Sequence, residues 1–207
     1  DVSRLPRSVG YANAPEDVVS AYVAATAAVA HAGAGAEGLR WVYTAMHGVG
    51  WETFAQVLDA AGYPRPTTVT EQLEPDGLFP TVAFPNPEEP GALDLAYEAA
   101  TASNAELIIA HDPDADRLAV ALPEGEADAR SWRRLTGNEV GLLLGWRAAR
   151  EAAAAGGADA SASLACSLVS SPGLRVIAEH YGLSAHETLT GFKWISRAPG
   201  MIFGFEE

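Results

Sequence analysis

Short apolar runs alternate with segments of helical spacing along most of this chain, and that alternation predicts a layered α/β protein. Val18 to Ala36 is alanine-rich and interrupted by Ser20, Thr26 and His31, so it reads as a helix with a narrow apolar face. Glu37 to Thr44 is a β-type run, and helical spacing follows from Gly48 to Ala61 until Gly62-Tyr63-Pro64 stops it. Thr67 to Val69 is a second short strand. Prolines at 75, 80, 85, 87 and 90 exclude both helix and central strand from Gln72 to Gly91, which leaves an ordered loop. Helical composition returns from Gly91 to Ala102, Glu106 to Ala110 reads as a buried strand, and Arg117 to Leu122 reads as another.

Pro123 to Arg134 is polar, charged and without periodicity, and it marks the expected boundary between two units, 1–124 and 125–207. The alternation then resumes. Asn138 to Glu151 has helical spacing with Val140, Leu143, Leu144 and Ala148 on one face, Gly156-Gly157 breaks it, and Ala162 to Val169 reads as a strand. Pro172 to Tyr181 reads as a helix opened by Ser170-Ser171 and closed by Gly182. Beyond that point the pattern assigns no element, and the end at Gly204-Phe205-Glu206-Glu207 reads as a loop.

Composition narrows the possible partners. The 207 residues are 48% hydrophobic, enough to close a core without covalent staples. Against 13 basic residues stand 27 acidic ones, a net charge of -14, so nucleic acid and anionic membrane surfaces are excluded as partners, and an anionic substrate needs a locally positive pocket. The single cysteine, Cys166, forms no internal disulfide and sits in an apolar run that predicts buried packing. No stretch is apolar and long enough to span a bilayer. The chain opens on Asp1 with neither a basic nor an apolar leader, so the expectation is a cytoplasmic protein cut from a longer one.

The chemistry concentrates in His111-Asp112-Pro113-Asp114-Ala115-Asp116-Arg117. With the backbone extended, Asp112, Asp114 and Asp116 project to one side and repel each other, a cost that a hard divalent cation such as magnesium removes. Arg117 then offers a planar donor fork to a phosphate lying on the metal. The competing reading is a solvated acidic turn, but flanking apolar runs put the loop at a strand end, where α/β sheets place ligands. An EF-hand fails because Arg117 and Pro123 occupy the positions of its glycine and glutamate. An aspartyl phosphatase would use Asp112 as nucleophile, but Asp116-Arg117 stands where those enzymes usually carry threonine or valine. His47, beside Gly48, reads as a packing histidine.

Asp-Pro-Asp-Ala-Asp-Arg resembles the metal loop of the α-D-phosphohexomutase family, the phosphoglucomutases and phosphomannomutases with their phosphopentomutase-like relatives. Tyr43-Thr44-Ala45-Met46-His47-Gly48-Val49-Gly50 is similar to the opening of that family's second domain, and Phe84-Pro85-Asn86-Pro87-Glu88-Glu89-Pro90 to the loop before its metal site. Thr136-Gly137-Asn138-Glu139, Thr190-Gly191-Phe192-Lys193 and Gly204-Phe205-Glu206-Glu207 add three motifs in the same order.

The resemblance implies the central two domains of such an enzyme: α/β, two similar domains, each a mixed β-sheet packed with helices, facing each other across a cleft. It implies Asp112, Asp114 and Asp116 as Mg2+ ligands and Arg117 as the catalytic phosphate contact. Thr190 and Lys193 would line the substrate cleft, and Glu206 and Glu207 would accept sugar hydroxyls. The implied reaction interconverts hexose 1-phosphate and hexose 6-phosphate through a phosphoserine and a hexose bisphosphate, with phosphopentomutase as the alternative. No Ser-His-Asn-Pro-like motif stands in the sequence, since Thr101-Ala102-Ser103-Asn104 lacks the histidine and proline. The nucleophile and the phosphate clamp are therefore expected in missing first and fourth domains, leaving this segment inactive alone.

Overall fold

The computed structural model describes residues 2–15, 17–29, 32–125, 131–157 and 159–207. Helix α1 (Asp17–Ala27) buries only Val23 and Ala27. It is shorter than the expected 18–36 helix: residues 30 and 31 lie outside the described ones, and Ala34–Ala36 is a separate 3-10 turn. Gly33 and Gly35, each about 1 kcal/mol less favourable in a helix than alanine, disfavour a helix through 32–36.

Strand β1 (Trp41–Thr44) is buried at every position. It occupies the interior of a five-stranded sheet with β2 (Thr67–Thr68), β3 (Leu107–His111), β4 (Leu118–Glu124) and β5 (Ser131–Arg134), in the order β2-β1-β3-β4-β5. Both faces are covered. Trp41 and Tyr43 pack on one side with Leu58 of helix α2 (Gly50–Ala61), while Val42 packs on the other with Ala96 and Ala100 of helix α3 (Asp94–Ala102). Two-sided burial explains why the strand reads as a continuous apolar run instead of an alternating one. The β2-β1-β3 pairs are parallel and the β3-β4-β5 pairs antiparallel, so this sheet is mixed.

The stretch expected to be irregular, 123–134, is different in structure: β4 runs through Pro123 to Glu124, and β5 pairs with it antiparallel, with Leu122 opposite Arg133. Residues 126–130 of that stretch lie outside the described ones. An edge strand such as Ser131-Trp132-Arg133-Arg134, half-exposed and arginine-rich, carries no alternating apolar signal.

The second sheet orders its strands β7-β6-β8, with β6 (Ser163–Ser167) fully buried between β7 (Ser184–Thr188) and β8 (Met201–Phe205). All its pairings are parallel, so this sheet is parallel instead of mixed. Gly204 and Phe205, expected in a loop, end β8. Helices α4 (Gly137–Ala154), α5 (Gly173–His180) and α6 (Phe192–Ile195) accompany the sheet. Leu164, Cys166, Leu174, Ala178, Leu183 and Phe205 form its core.

Helix α4 begins with a capping box, in which Thr136 accepts from the Glu139 amide and the Glu139 carboxylate accepts from the Thr136 amide. The face expected inward is not the one buried. Leu143 and Leu144 are exposed, whereas Gly141, Gly145 and Ala149 face the core. A methyl group on Gly141 would lie 2.2 Å from the Phe205 ring, so the close approach of the helix to β8 depends on its glycines, with Leu142 half-buried against the same core.

Cys166 is buried, and burial followed by the charge of Glu187 pushes its thiol above the ordinary cysteine range. The thiol should therefore stay unlabelled by a disulfide reagent at pH 8 in the native protein and react fully in denaturant, as followed by absorbance. Among the described residues, no helix is long and apolar enough to cross a membrane.

Candidate functional site

The acidic loop is the tip of the β3-β4 hairpin, where His111 pairs with Leu118. Its backbone is not extended as the alternating pattern suggested. Ala115 takes a left-handed conformation (φ 58°), and its amide donates to the Asp112 carbonyl at 3.0 Å. This turn brings one carboxylate oxygen each of Asp112, Asp114 and Asp116 within 4.8 Å of one another. The carboxylates thus converge through a turn of the backbone.

Asp112 is buried, while Asp114 and Asp116 are exposed. The Arg117 amide donates to Asp112 Oδ1 at 3.1 Å, its Nε donates to Oδ2 at 3.0 Å, and the same Nε lies 3.7 Å from Asp116 Oδ1. Burial alone would raise the Asp112 carboxyl, but the hydrogen bonds and charge of Arg117, with a contribution from Asp114, hold it below the usual carboxylate range. Asp116 moves the other way, pushed up by lost hydration and by the charges of Asp112 and Asp114. Mutual repulsion among three converging oxygen donors is the condition that a hard divalent cation relieves, so the donor set fits magnesium.

The floor beneath this loop is the segment between β1 and α2. The Val49 amide donates to the Pro113 carbonyl at 2.9 Å. A methyl group on Gly48 would sit 2.3 Å from both Cα and O of Pro113, so only glycine fits there. Beside it, Tyr43 Oη and His111 Nδ1 lie 3.1 Å apart; burial pushes the tyrosine well above its usual range and, against the charge of Asp112, lowers His111. The sequence marked residues 43–50 as a motif but gave Gly48 no role. Its contact with Pro113 is long-range and leaves no local signal.

The other candidate residues gather at the C-terminal ends of the parallel strands β7, β6 and β8. Glu206 Oε1 accepts from the Gly191 amide at 2.9 Å, which ties the end of β8 to the loop that carries Thr190 and Lys193. Asn138, at the start of α4, accepts from the Ser171 amide at 2.5 Å and donates through Nδ2 to the Glu207 carboxylate. The Glu207 amide donates to Ser170 Oγ at 3.3 Å, and Ser170 Oγ lies 2.8 Å from Ser167 Oγ. Glu206 is half-buried; Thr190, Lys193 and Glu207 are exposed. This end of a parallel sheet is where open α/β folds place ligands. Among the described residues, no hydrogen bond or ion pair joins this group to the acidic loop.

Two family models match the chain: "Phosphoglucomutase/phosphomannomutase, alpha/beta/alpha domain II" over residues 20–125 and "alpha/beta/alpha domain III" over residues 136–207. A Haemophilus influenzae protein named "Probable phosphomannomutase" is 51% identical over 207 residues, which is 100% of this chain and 41% of that protein. The human phosphopentomutase is 40% identical over 181 residues, 82% of this chain and 29% of its own length. The chain thus spans less than half of either relative. A solved phosphoglucomutase/phosphomannomutase family protein from Burkholderia thailandensis shares the fold with a TM-score of 0.62 at 20% identity, over 84% of this chain and 33% of that one.

Proposed function

This chain belongs to the phosphoglucomutase/phosphomannomutase family, and from that premise we propose that it is the segment of a sugar-phosphate mutase that supplies the magnesium and sugar half-sites. The observation that carries the proposal is the convergence of Asp112, Asp114 and Asp116 beside Arg117. Asp112, Asp114 and Asp116 would hold the Mg2+, which when bound supplies charge neutralisation for a transferring phosphoryl group. Arg117, anchored through Nε on Asp112, keeps its planar head over the loop and orients the phosphate. Glu206 and Glu207 accept hydrogen bonds from vicinal ring hydroxyls, and Thr190 and Lys193 close the same side of the cleft.

In the whole enzyme, a phosphoserine outside residues 1–207 would donate its phosphate to the free hydroxyl of a hexose 1-phosphate. The resulting bisphosphate turns over and returns its other phosphate to the serine, leaving hexose 6-phosphate. Phosphopentomutase is the second reading, favoured by the similarity to the human phosphopentomutase. Assays of the full-length protein on glucose, mannose and ribose 1-phosphates decide between them. Conversion of a hexose phosphate supports the first, and dominance of ribose 1-phosphate replaces it with the second. Release of inorganic phosphate by residues 1–207 alone would contradict both in favour of an aspartyl phosphatase.

A further inference from the structure

Met46 and His47 stand side by side in the left-handed region, with φ of 48° and 60°. Neither is glycine, and each such residue costs about 1–2 kcal/mol of backbone strain. Strain of this kind persists only where the surroundings over-determine it, and it concentrates at functional sites. Here it lies immediately before Gly48, whose Cα packs against the Pro113 backbone inside the acidic loop.

The surroundings that fix the turn form a directed chain of hydrogen bonds. The Met46 amide donates to Thr44 Oγ1 at 3.0 Å, so the Thr44 hydroxyl proton is free for Gln72 Oε1, 2.6 Å away. That assigns the Gln72 amide nitrogen to Thr81 Oγ1 at 2.9 Å, and the same Thr81 oxygen lies 2.8 Å from His47 Nε2. The His47 amide donates to the Gln72 carbonyl at 2.8 Å, and its carbonyl accepts from the Asp76 amide at 2.9 Å. Thr44, His47 and Gln72 are all buried; Thr81 is exposed and sits in the proline-rich loop.

We propose that His47 is a positioning residue for the cation-holding loop: its bond to Thr81 locks the left-handed turn that sets Gly48 and Val49 against Pro113. This inference rests on reading Asp112, Asp114 and Asp116 as the cation site. It assigns the proline-rich loop a function, since Thr81 is the point where that loop grips the turn beneath the metal ligands.

The test is Mn2+ binding to the 207-residue chain, followed by electron paramagnetic resonance, with thermal unfolding without metal as the fold control. His47→Asn keeps a residue that tolerates the left-handed backbone but is too short to reach Thr81, and Thr81→Val removes the hydroxyl at an exposed position. Each should weaken Mn2+ binding about tenfold, the size of effect seen when an outer-shell partner is lost. The double variant should be no weaker than Thr81→Val alone, because that substitution already removes the bond to His47 along with the one from Gln72. Thr81→Ser, which restores the hydroxyl, should bind as the parent does. Wild-type affinity in Thr81→Val, or additive losses in the double variant, overturns the role of His47. Failure of the parent chain to bind Mn2+ overturns the cation reading itself, and this inference with it.

Discussion

Gly48→Ala should weaken divalent-cation binding by about two orders of magnitude while the second sheet stays folded. The added methyl would lie 2.3 Å from two backbone atoms of Pro113, and no flexible side chain is there to give way. Gly48 is not among the residues with positive φ, so alanine is acceptable to the backbone and the damage comes from the contact alone. Relief requires the turn at 46–49 to move off the acidic loop, which breaks the bond from the Val49 amide to Pro113. Overpacking of this kind costs about 1–3 kcal/mol, and the loop loses the floor that sets its shape. Mn2+ affinity should fall by about 100-fold, the upper end for lost support around a metal site. Near-UV circular dichroism should retain the signal of the second core.

Asp112→Asn should produce a loss at least as large by another route. Asp112 is the one buried member of the three carboxylates, and it holds Arg117 through both the backbone amide and Nε. Asparagine can still accept from the amide, but its own NH2 then faces Nε, donor to donor, and the charge that draws the cation is gone. Binding should weaken by more than about 100-fold, and the arginine should lose its fixed direction. Stability should fall as well, by about 1–3 kcal/mol, because the Asp112 side chain is only 4% exposed and its buried NH2 is left facing a donor, while the half-exposed Arg117 can turn to water. A cation titration combined with a melting curve separates the two effects.

The features legible in the sequence are those that a short stretch of residues decides. The buried run of β1, the stop after α2 and the acidic loop all depend on neighbours a few positions away. The remainder depends on contacts between distant residues. β7 is Ser-Ala-His-Glu-Thr, a half-exposed edge strand with little apolar content, and it becomes a strand by pairing with β6. The buried face of α4 carries no apolar stripe of its own, because Leu143, Leu144 and Trp146 point outward while glycines admit Phe205. The alternation of the three aspartates is plain in the sequence, but it is the left-handed Ala115, and not an extended backbone, that gathers them. Nothing near residue 48 in sequence announces that Pro113 lies on top of it.

A divalent cation held by Asp112, Asp114 and Asp116 at the tip of the β3-β4 hairpin is open to a direct test. Anomalous diffraction from crystals of this chain grown with Mn2+ tests it most directly. The expected result is a manganese peak within bonding distance of all three carboxylates, absent from Asp112→Asn crystals. A peak elsewhere, or none at this loop in the wild-type chain, would contradict it.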